Sequence, residues 1–179
     1  MTLSRVRSIA VLGALVLAAV VVVWMALARD RQTHARGSGC PVDAVVVDVH
    51  MPTNQQTKIN VYDATGKDYL ASNVAEELKE RKFQAKFGGP DPGKKPFDGI
   101  VEIRYGPKTV GAAQLMMAYF LVDPKNKGLK GTFDIKRTDD TVDVVVGPKF
   151  LQLGTTTEVN QKIAALGEPT APEGTCAAL

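Results

Sequence analysis

The stretch Lys58–Phe83, "KINVYDATGKDYLASNVAEELKERKF", decides the fold class because its hydrophobic pattern changes partway along. It opens with a short strand-like run at 58–62. Leu70, Val74 and Leu78 then recur at the i, i+4, i+8 spacing typical of one face of an α-helix. A second strand-like run, "FQAKF", follows directly. The stretch therefore predicts a β-α-β unit.

The turn inside this stretch, "ATGK", resembles the end of a phosphate-binding loop. Such a loop needs a glycine five residues before Gly66 and a hydroxyl residue after Lys67. Val61 and Asp68 occupy those two positions. The sequence therefore excludes this kind of nucleotide site, and Thr-Gly-Lys is interpreted as a turn.

The remaining segments complete the predicted fold. Working outward, we predict strands at 42–51 and 100–105, a loop at 88–99, a helix through 112–122, a hairpin at 131–147 turning at Thr138–Asp140, and a last helix from 155. The order is β, β-α-β, β-α, β-β, α. It predicts an α/β (α+β) sandwich, in which helices pack on a mixed sheet of split βαβ type.

A long apolar run precedes the domain. Residues 9–28 carry no charge, and at about 1.5 Å per residue they match the roughly 30 Å core of a bilayer. Arg5 and Arg7 lie before this run, so residues 1–8 are predicted to be cytoplasmic. A linker at 29–39 then leads to an extracytoplasmic domain at 40–179. Cleavage after Ala28 as a signal peptide is the alternative.

The charge distribution argues against nucleic acid as a partner. Residues 1–39 hold five Arg and one Asp, whereas residues 40–179 hold 17 of the 22 Lys and Arg and 18 of the 19 Asp and Glu. The basic excess thus belongs to the membrane flanks. A nucleic-acid-binding domain needs a basic face of its own.

The two cysteines, Cys40 and Cys176, are predicted to form a disulfide, as isolated pairs usually do in an oxidising compartment. Lipoprotein processing at Cys40 is disfavoured because Gly37 stands where an aliphatic residue is required. Redox catalysis is disfavoured because no Cys-x-x-Cys motif is present.

No pattern typical of catalysis or of a metal site appears. Ser72 and His50 are the only serine and the only histidine after the linker, and nothing in the sequence links them. The acids near the predicted hairpin turn are typical of a solvated turn. We therefore expect no catalytic residues, no metal and no cofactor.

Lysines are the candidate contacts for an anionic polymer or lipid. "YGPKT" and "VGPKF" each place Gly-Pro-Lys after a strand, so Lys108 and Lys149 would share one rim of the sheet if their strands ran parallel. Lys125, Lys127 and Lys130 form a second candidate group in "DPKNKGLKG". Exposed turn and loop lysines remain the alternative for both groups.

The helix at 112–122 is apolar nearly all round, which is typical of a helix covered on more than one side. Either the domain buries it or a second subunit does. Its large side chains, at Leu115, Met116, Met117, Tyr119 and Phe120, are therefore candidates for a homodimer surface or for the lining of a lipid-carrying cavity.

Three segments, "INVYDATGKDYLASNVAEELKERKF", "VEIRYGPKTVGAAQLMMAYF" and "TVDVVVGPKF", resemble the LytR C-terminal domain over roughly residues 57–152. With the anchor and "CPVDAVVVDV", the whole chain is similar to an envelope-integrity protein of actinobacteria. The resemblance implies a non-enzymatic, membrane-anchored module that helps maintain the cell envelope. Its partners would be the cytoplasmic membrane, a second copy, or a wall polymer, lipid or envelope protein. A cryptic wall-modifying enzyme is the less favoured alternative.

Overall fold

The computed structural model describes residues 17, 20, 21, 40, 43–93, 97–121 and 128–178. The chain divides into two units, Met1–Pro41 and Val42–Leu179. In the first unit, the described residues Leu17, Val20 and Val21 are helical and exposed. The predicted anchor and linker otherwise lie outside the described residues. Within the described part of the chain, no helix has the length and apolar character needed to cross a bilayer.

The second unit contains seven strands and three helices among its described residues. The strands are β1 Val45–Val47, β2 Lys58–Asp63, β3 Gln84–Pro90, β4 Val101–Tyr105, β5 Leu129–Phe133, β6 Thr141–Val146 and β7 Thr175–Ala177. The helices are α1 Asp68–Glu80, α2 Val110–Tyr119 and α3 Thr156–Leu166, with short 3-10 turns at Asn54–Gln56 and Pro107–Thr109. The predicted order of elements is confirmed up to α3, and β7 is additional.

Five strands form a mixed sheet in the order β3-β2-β6-β4-β5. β2 is parallel to both β3 and β6, β4 is parallel to β5, and β4 and β6 are antiparallel. β1 and β7 form a separate two-stranded parallel sheet. The mixed sheet with helices is as predicted.

Two finer predictions about the sheet are wrong. β5 and β6 do not form a hairpin, because β4 lies between them. The buried run "VDVVV" of β6 takes partners on both of its edges, β2 and β4. The units β2-α1-β3 and β4-α2-β5 each join neighbouring parallel strands, so the crossovers are direct and not split.

The core lies between one face of the sheet and the helices. Ile59, Val61, Ile103 and Val144 are at most 1 % exposed and belong to one cluster with side chains of α1 and α2. The predicted dry face of α1 is confirmed, since Val74 and Leu78 are buried and Leu70 packs against the same cluster. Alternate strand residues point to the opposite face, called the outer face below.

Helix α2 is buried within this domain, against β4 and α3. Leu115, Met116 and Phe120 belong to the core, with Met117 and Tyr119 packed against it. The first of the two sequence alternatives, burial by the domain, therefore accounts for the apolar character of this helix. The core already takes up Leu115, Met116 and Phe120, which leaves only the partly buried Met117 and Tyr119 of this set for a dimer contact.

The predicted disulfide is present. Cys40 and Cys176 are both disulfide-bonded, and the chain has no other cysteine, so they are bonded to each other. Cys176 lies in β7, opposite Val46 of β1. The bond thus fixes the C-terminal strand covalently to the start of the domain.

Candidate functional site

A cleft of about 250 Å³ lies where the segment before β2 meets the β4–α2 turn. It is lined by residues from three parts of the chain: Asp48, His50, Pro52, Gln56, Thr57, Lys58, Lys108, Thr109, Ala112 and Asp140. The lining therefore includes two lysines, two aspartates and one histidine.

Backbone contacts hold the cleft wall in place. The amide of Asp48 donates to the carbonyl of Pro107 at 2.7 Å, and the amide of Gly111 donates to the carbonyl of Asp48 at 3.2 Å. A Cβ on Gly111 would lie 1.9 Å from the carbonyl oxygen of His50, so only glycine permits this approach. The first turn of α2 thereby fixes the position of His50.

One ion pair already lies inside the cleft. Lys58 Nζ is 2.6 Å from Asp140 Oδ2, and both side chains are about half exposed, at 47 % and 58 %. The hydrogen bond from Lys58 lowers the pKa of Asp140, and the charge of Lys108 lowers it further. Asp140 therefore stays ionised near neutral pH, between two lysines.

Lys108, Asp48 and His50 carry the remaining chemistry. Lys108 is exposed and makes no ion pair or side-chain hydrogen bond to other described residues. Asp48 Oδ1 accepts the backbone amide of His50 at 2.9 Å. These groups can contact a small polar ligand without first breaking an ion pair of their own.

Lys108 and Lys149 do not share a rim, and this prediction is corrected. Each lysine follows the C-terminal end of its strand, but those strands, β4 and β6, are antiparallel. The two Gly-Pro-Lys turns therefore lie at opposite ends of the sheet. Lys149 Nζ instead contacts Asp98 Oδ2 at 2.9 Å, in an exposed pair.

The second lysine group is only partly described. Lys125 and Lys127 lie outside the described residues. Lys130 is on β5, where its Nζ lies 3.1 Å from Glu102 Oε1. Lys130 thus forms part of a charged network on the outer face.

That network is centred on Arg104. Its guanidinium contacts both carboxylate oxygens of Asp91, at 2.6 and 2.9 Å, and Glu102 Oε2 at 2.7 Å. Hydrogen bonds from Arg104 lower the pKa of Asp91 despite its burial. Burial alone would raise the pKa of Glu102, but hydrogen bonds from Arg104, Thr132 and Lys130 outweigh it and lower this pKa.

A second arginine extends the network. Arg137 reaches back from the loop before β6 and contacts Asp143 at 2.8 Å and Asp139 at 2.9 Å. Burial and the charge of Asp143 raise the pKa of Tyr62, which lies on the same face. Because carboxylates surround both arginines, we interpret the network as structural support for the outer face.

The residues considered for catalysis remain apart. Ser72 Oγ donates to the carbonyl of Tyr69 within α1, and His50 lines the cleft. Among the described residues no group of three or more His, Cys, Asp or Glu side chains could hold a metal ion. Asp139 and Asp143, near the predicted turn, are ion-paired to Arg137.

Sequence reasoning missed the cleft itself. The sequence presents His50 only as an isolated histidine, and it places Asp48 inside the predicted strand at 42–51. The strand ends at Val47, so both residues lie in the segment that forms the cleft wall. No local signal marks this end, because Val47, Val49 and Met51 alternate with Asp48 and His50 in the pattern typical of a strand.

Most of this domain matches a known protein family, and a solved structure shares its fold. Residues 56–150 match the family described as LytR cell envelope-related transcriptional attenuator. No curated protein matches the chain significantly. A crystal structure of the soluble domain of a conserved hypothetical secreted protein from Mycobacterium marinum is similar, with a TM-score of 0.52 and 24% identity, over 66% of this chain and 73% of that chain. This likeness supports the fold.

Proposed function

The chain belongs to the LytR cell envelope-related transcriptional attenuator family, and from this premise we propose that it is a non-enzymatic, membrane-anchored protein that supports cell-envelope integrity by binding or scaffolding. The family match over residues 56–150 is the observation that carries the proposal. It covers β2 through β6, which is the whole five-stranded sheet with α1 and α2.

The disulfide supports an extracytoplasmic location. Such bonds persist in oxidising compartments and are rare where thiols are kept reduced. The chain uses both of its cysteines in this bond. The apolar run at 9–28, preceded by Arg5 and Arg7, would then serve as the anchor, with residues 40–179 outside the cytoplasm.

A binding role suits the cleft better than a catalytic one. A general base must lie within hydrogen-bond reach of a nucleophile that it activates. The hydroxyls that line the described cleft with His50 belong to Thr57 and Thr109, and they donate to the backbone carbonyls of Thr53 and Gly106 instead of to the histidine. Lysines and aspartates of this kind hold a charged ligand by ion pairs and hydrogen bonds.

Within this proposal, the finer similarity is to the actinobacterial cell envelope integrity protein Cei. It rests on the quoted segments, the anchor and the opening "CPVDAVVVDV". Self-association belongs to the same proposal. Because most large side chains of α2 are buried within the domain, the dimer surface would lie mainly outside this helix. A lipid carrier is the alternative function, since the proposed anchor would hold the domain near the membrane.

Two measurements in the native host test this function. A reporter enzyme active only outside the cytoplasm, fused after Gly39, should be active. Deletion of the gene should increase uptake of a membrane-impermeant dye, and the full-length chain should restore the barrier. A version that replaces residues 1–28 with a cleavable export signal should not restore it. Normal dye uptake in the deletion strain would contradict the proposed role.

A further inference from the structure

We propose that the cleft binds a small zwitterionic group, namely the part of an amino acid or short peptide that carries both an ammonium and a carboxylate. This inference deepens the proposed envelope function and rests on it. The ligand would lie between β2, the β4–α2 turn and the segment before β2.

The cleft offers a ligand one cation and one anion that form no ion pair with other described residues. Lys58 and Asp140 are paired with each other at 2.6 Å, so they contribute little net charge to a ligand. The remaining charged residues of the lining are one cation, Lys108, and one anion, Asp48, with His50 beside them. A ligand that carries one charge of each sign can satisfy both at once.

Both groups have unused hydrogen-bonding capacity. An ionised carboxylate offers about four acceptor sites, and only the backbone amide of His50 donates to Asp48 in the described contacts. The ammonium of Lys108 offers three donors on a flexible stem. Asp48 can therefore accept from a ligand ammonium while Lys108 donates to a ligand carboxylate.

The backbone amides at the N-terminus of helix α2 do not form the proposed binding site. The amide of Gly111 already donates to the carbonyl of Asp48, which closes part of the first turn to a ligand. The hydroxyl of Thr109 is likewise occupied by the amide and carbonyl of Gly106. Recognition is therefore assigned to side chains that the backbone contacts hold in place.

Size and lining select a short ligand. The cleft, at about 250 Å³, falls just below the roughly 300–1,000 Å³ of pockets that take drug-sized molecules. Ala112 and Pro52 supply apolar surface for a small side chain such as a methyl group. One or two residues of a peptide match this volume and lining.

A simple anion is a poorer fit. Asp140 stays ionised between the two lysines, and Asp48 adds a second negative charge to the lining. A phosphate or sulfate would meet both carboxylates without supplying a cation to either. Electrostatic complementarity therefore favours a ligand of mixed charge.

The test uses the full-length chain, isotopically labelled, and NMR titration with alanylalanine at concentrations up to about 10 mM, a range that detects millimolar affinity. Three further probes are the N-acetylated dipeptide, the C-amidated dipeptide and inorganic phosphate. The D,D form represents cell-wall stem peptides and the L,L form represents peptides of ribosomal origin, so comparison of the two identifies the source.

We expect the free dipeptide to shift amides around the cleft and each blocked form to bind about fivefold more weakly, which is the loss of one exposed charge contact. Lys108→Gln should abolish the difference between the dipeptide and its amide. Asp48→Asn, which keeps the acceptor for His50, should abolish the difference between the dipeptide and its acetylated form. Lys149→Gln, in the same Gly-Pro-Lys context at the opposite end of the sheet, should change nothing.

Three results would overturn the inference: equal binding of the blocked and free dipeptides, phosphate binding as tight as the dipeptide, or no shift of any cleft amide. These results concern only the ligand. Failure of the envelope function would appear separately, as normal dye uptake in the deletion strain, whatever the purified chain binds.

Discussion

Asp91 and Arg104 form a two-point ion pair that fixes the chain leaving β3 onto the outer face of the sheet. The two oxygen–nitrogen distances are 2.6 and 2.9 Å. The side chains are only 7 % and 23 % exposed. Glu102, at 8 % exposure, shares the same guanidinium. Arg104 therefore contacts two carboxylates that solvent barely reaches, and Lys130, 3.1 Å from Glu102, supplies the second positive charge.

Replacing Arg104 should be costly because it leaves these carboxylates buried without a full partner. Breaking such a pair from one side typically costs about 3–5 kcal/mol. We expect Arg104→Met to lose this amount in the free energy of unfolding, measured by urea denaturation. Lys58→Met, which breaks the exposed pair with Asp140, is the matched control and should cost at most about 1 kcal/mol. Equal losses in the two variants would contradict this ranking.

The same network predicts how stability depends on pH. The folded-state pKa values of Asp91 and Glu102 lie below their ordinary values of 3.8 and 4.5. A depressed pKa stabilises the fold above the unfolded-state pKa, and this stability is lost as pH falls through the folded-state pKa. Unfolding free energy should therefore be steady near neutral pH and decline below about pH 4.5.

In Arg104→Met the pH trend of these two carboxylates should reverse. Burial raises the pKa of Asp91 and of Glu102, and the variant lacks the Arg104 hydrogen bonds that oppose this effect. Protonation would relieve the buried charge, so the stability gap between the variant and the natural chain should narrow from pH 6 to pH 3. A gap that stays constant over this range would show that the two carboxylates are not the source of the loss.

Local pattern in the sequence was sufficient to predict most elements and one core face. The spacing of Leu70, Val74 and Leu78 depends only on the helix they belong to, and that face is buried as predicted. Strand neighbours depend on parts of the chain far apart in sequence. The insertion of β4 between β5 and β6 therefore could not be derived from the short turn at Thr138–Asp140.

The candidate site shows the same limit. The Gly-Pro-Lys turn after a strand predicts Lys108 as a candidate ligand contact, and Lys108 does line the cleft. Its predicted companion, Lys149, lies at the opposite end of the sheet because β4 and β6 are antiparallel, and strand direction is not encoded in either Gly-Pro-Lys turn. Lys58, His50 and Asp140 join Lys108 only through the packing of three separate segments, which no local motif encodes.

Gly111 should be intolerant of any side chain. An alanine Cβ would lie 1.9 Å from the His50 carbonyl oxygen and 2.5 Å from its carbonyl carbon, and both are backbone atoms that cannot rotate away. We expect Gly111→Ala to displace the segment at 48–51, with a loss of about 1–3 kcal/mol in unfolding free energy, as overpacking costs. Amide exchange should accelerate at Asp48 and Gly111, whose hydrogen bonds join the two segments.

Gly131→Ala is the matched control for this substitution. Its Cβ would approach the Met117 Cε atom at 2.8 Å, but that atom is the end of a flexible side chain. The methionine can move aside, so the control should change stability little and leave amide exchange at Asp48 unaltered. A loss as large as that of Gly111→Ala would mean that added volume alone, without a backbone collision, explains the effect.

Removing the disulfide should release the C-terminal strand before the rest of the domain. The bond closes a loop of more than a hundred residues, worth about 4–5 kcal/mol in the chain-entropy treatment, so Cys40→Ser/Cys176→Ser should lose about that much unfolding free energy.

A two-stranded sheet has little stability of its own. The amide of Ala178, which donates to the Val47 carbonyl at 2.8 Å, should therefore exchange rapidly in the variant. Val47 is fully buried and Asp48 remains bonded to Pro107, so Asp48 should keep its protection. Equal protection of Ala178 in the natural chain and the variant would show that backbone pairing alone holds β7.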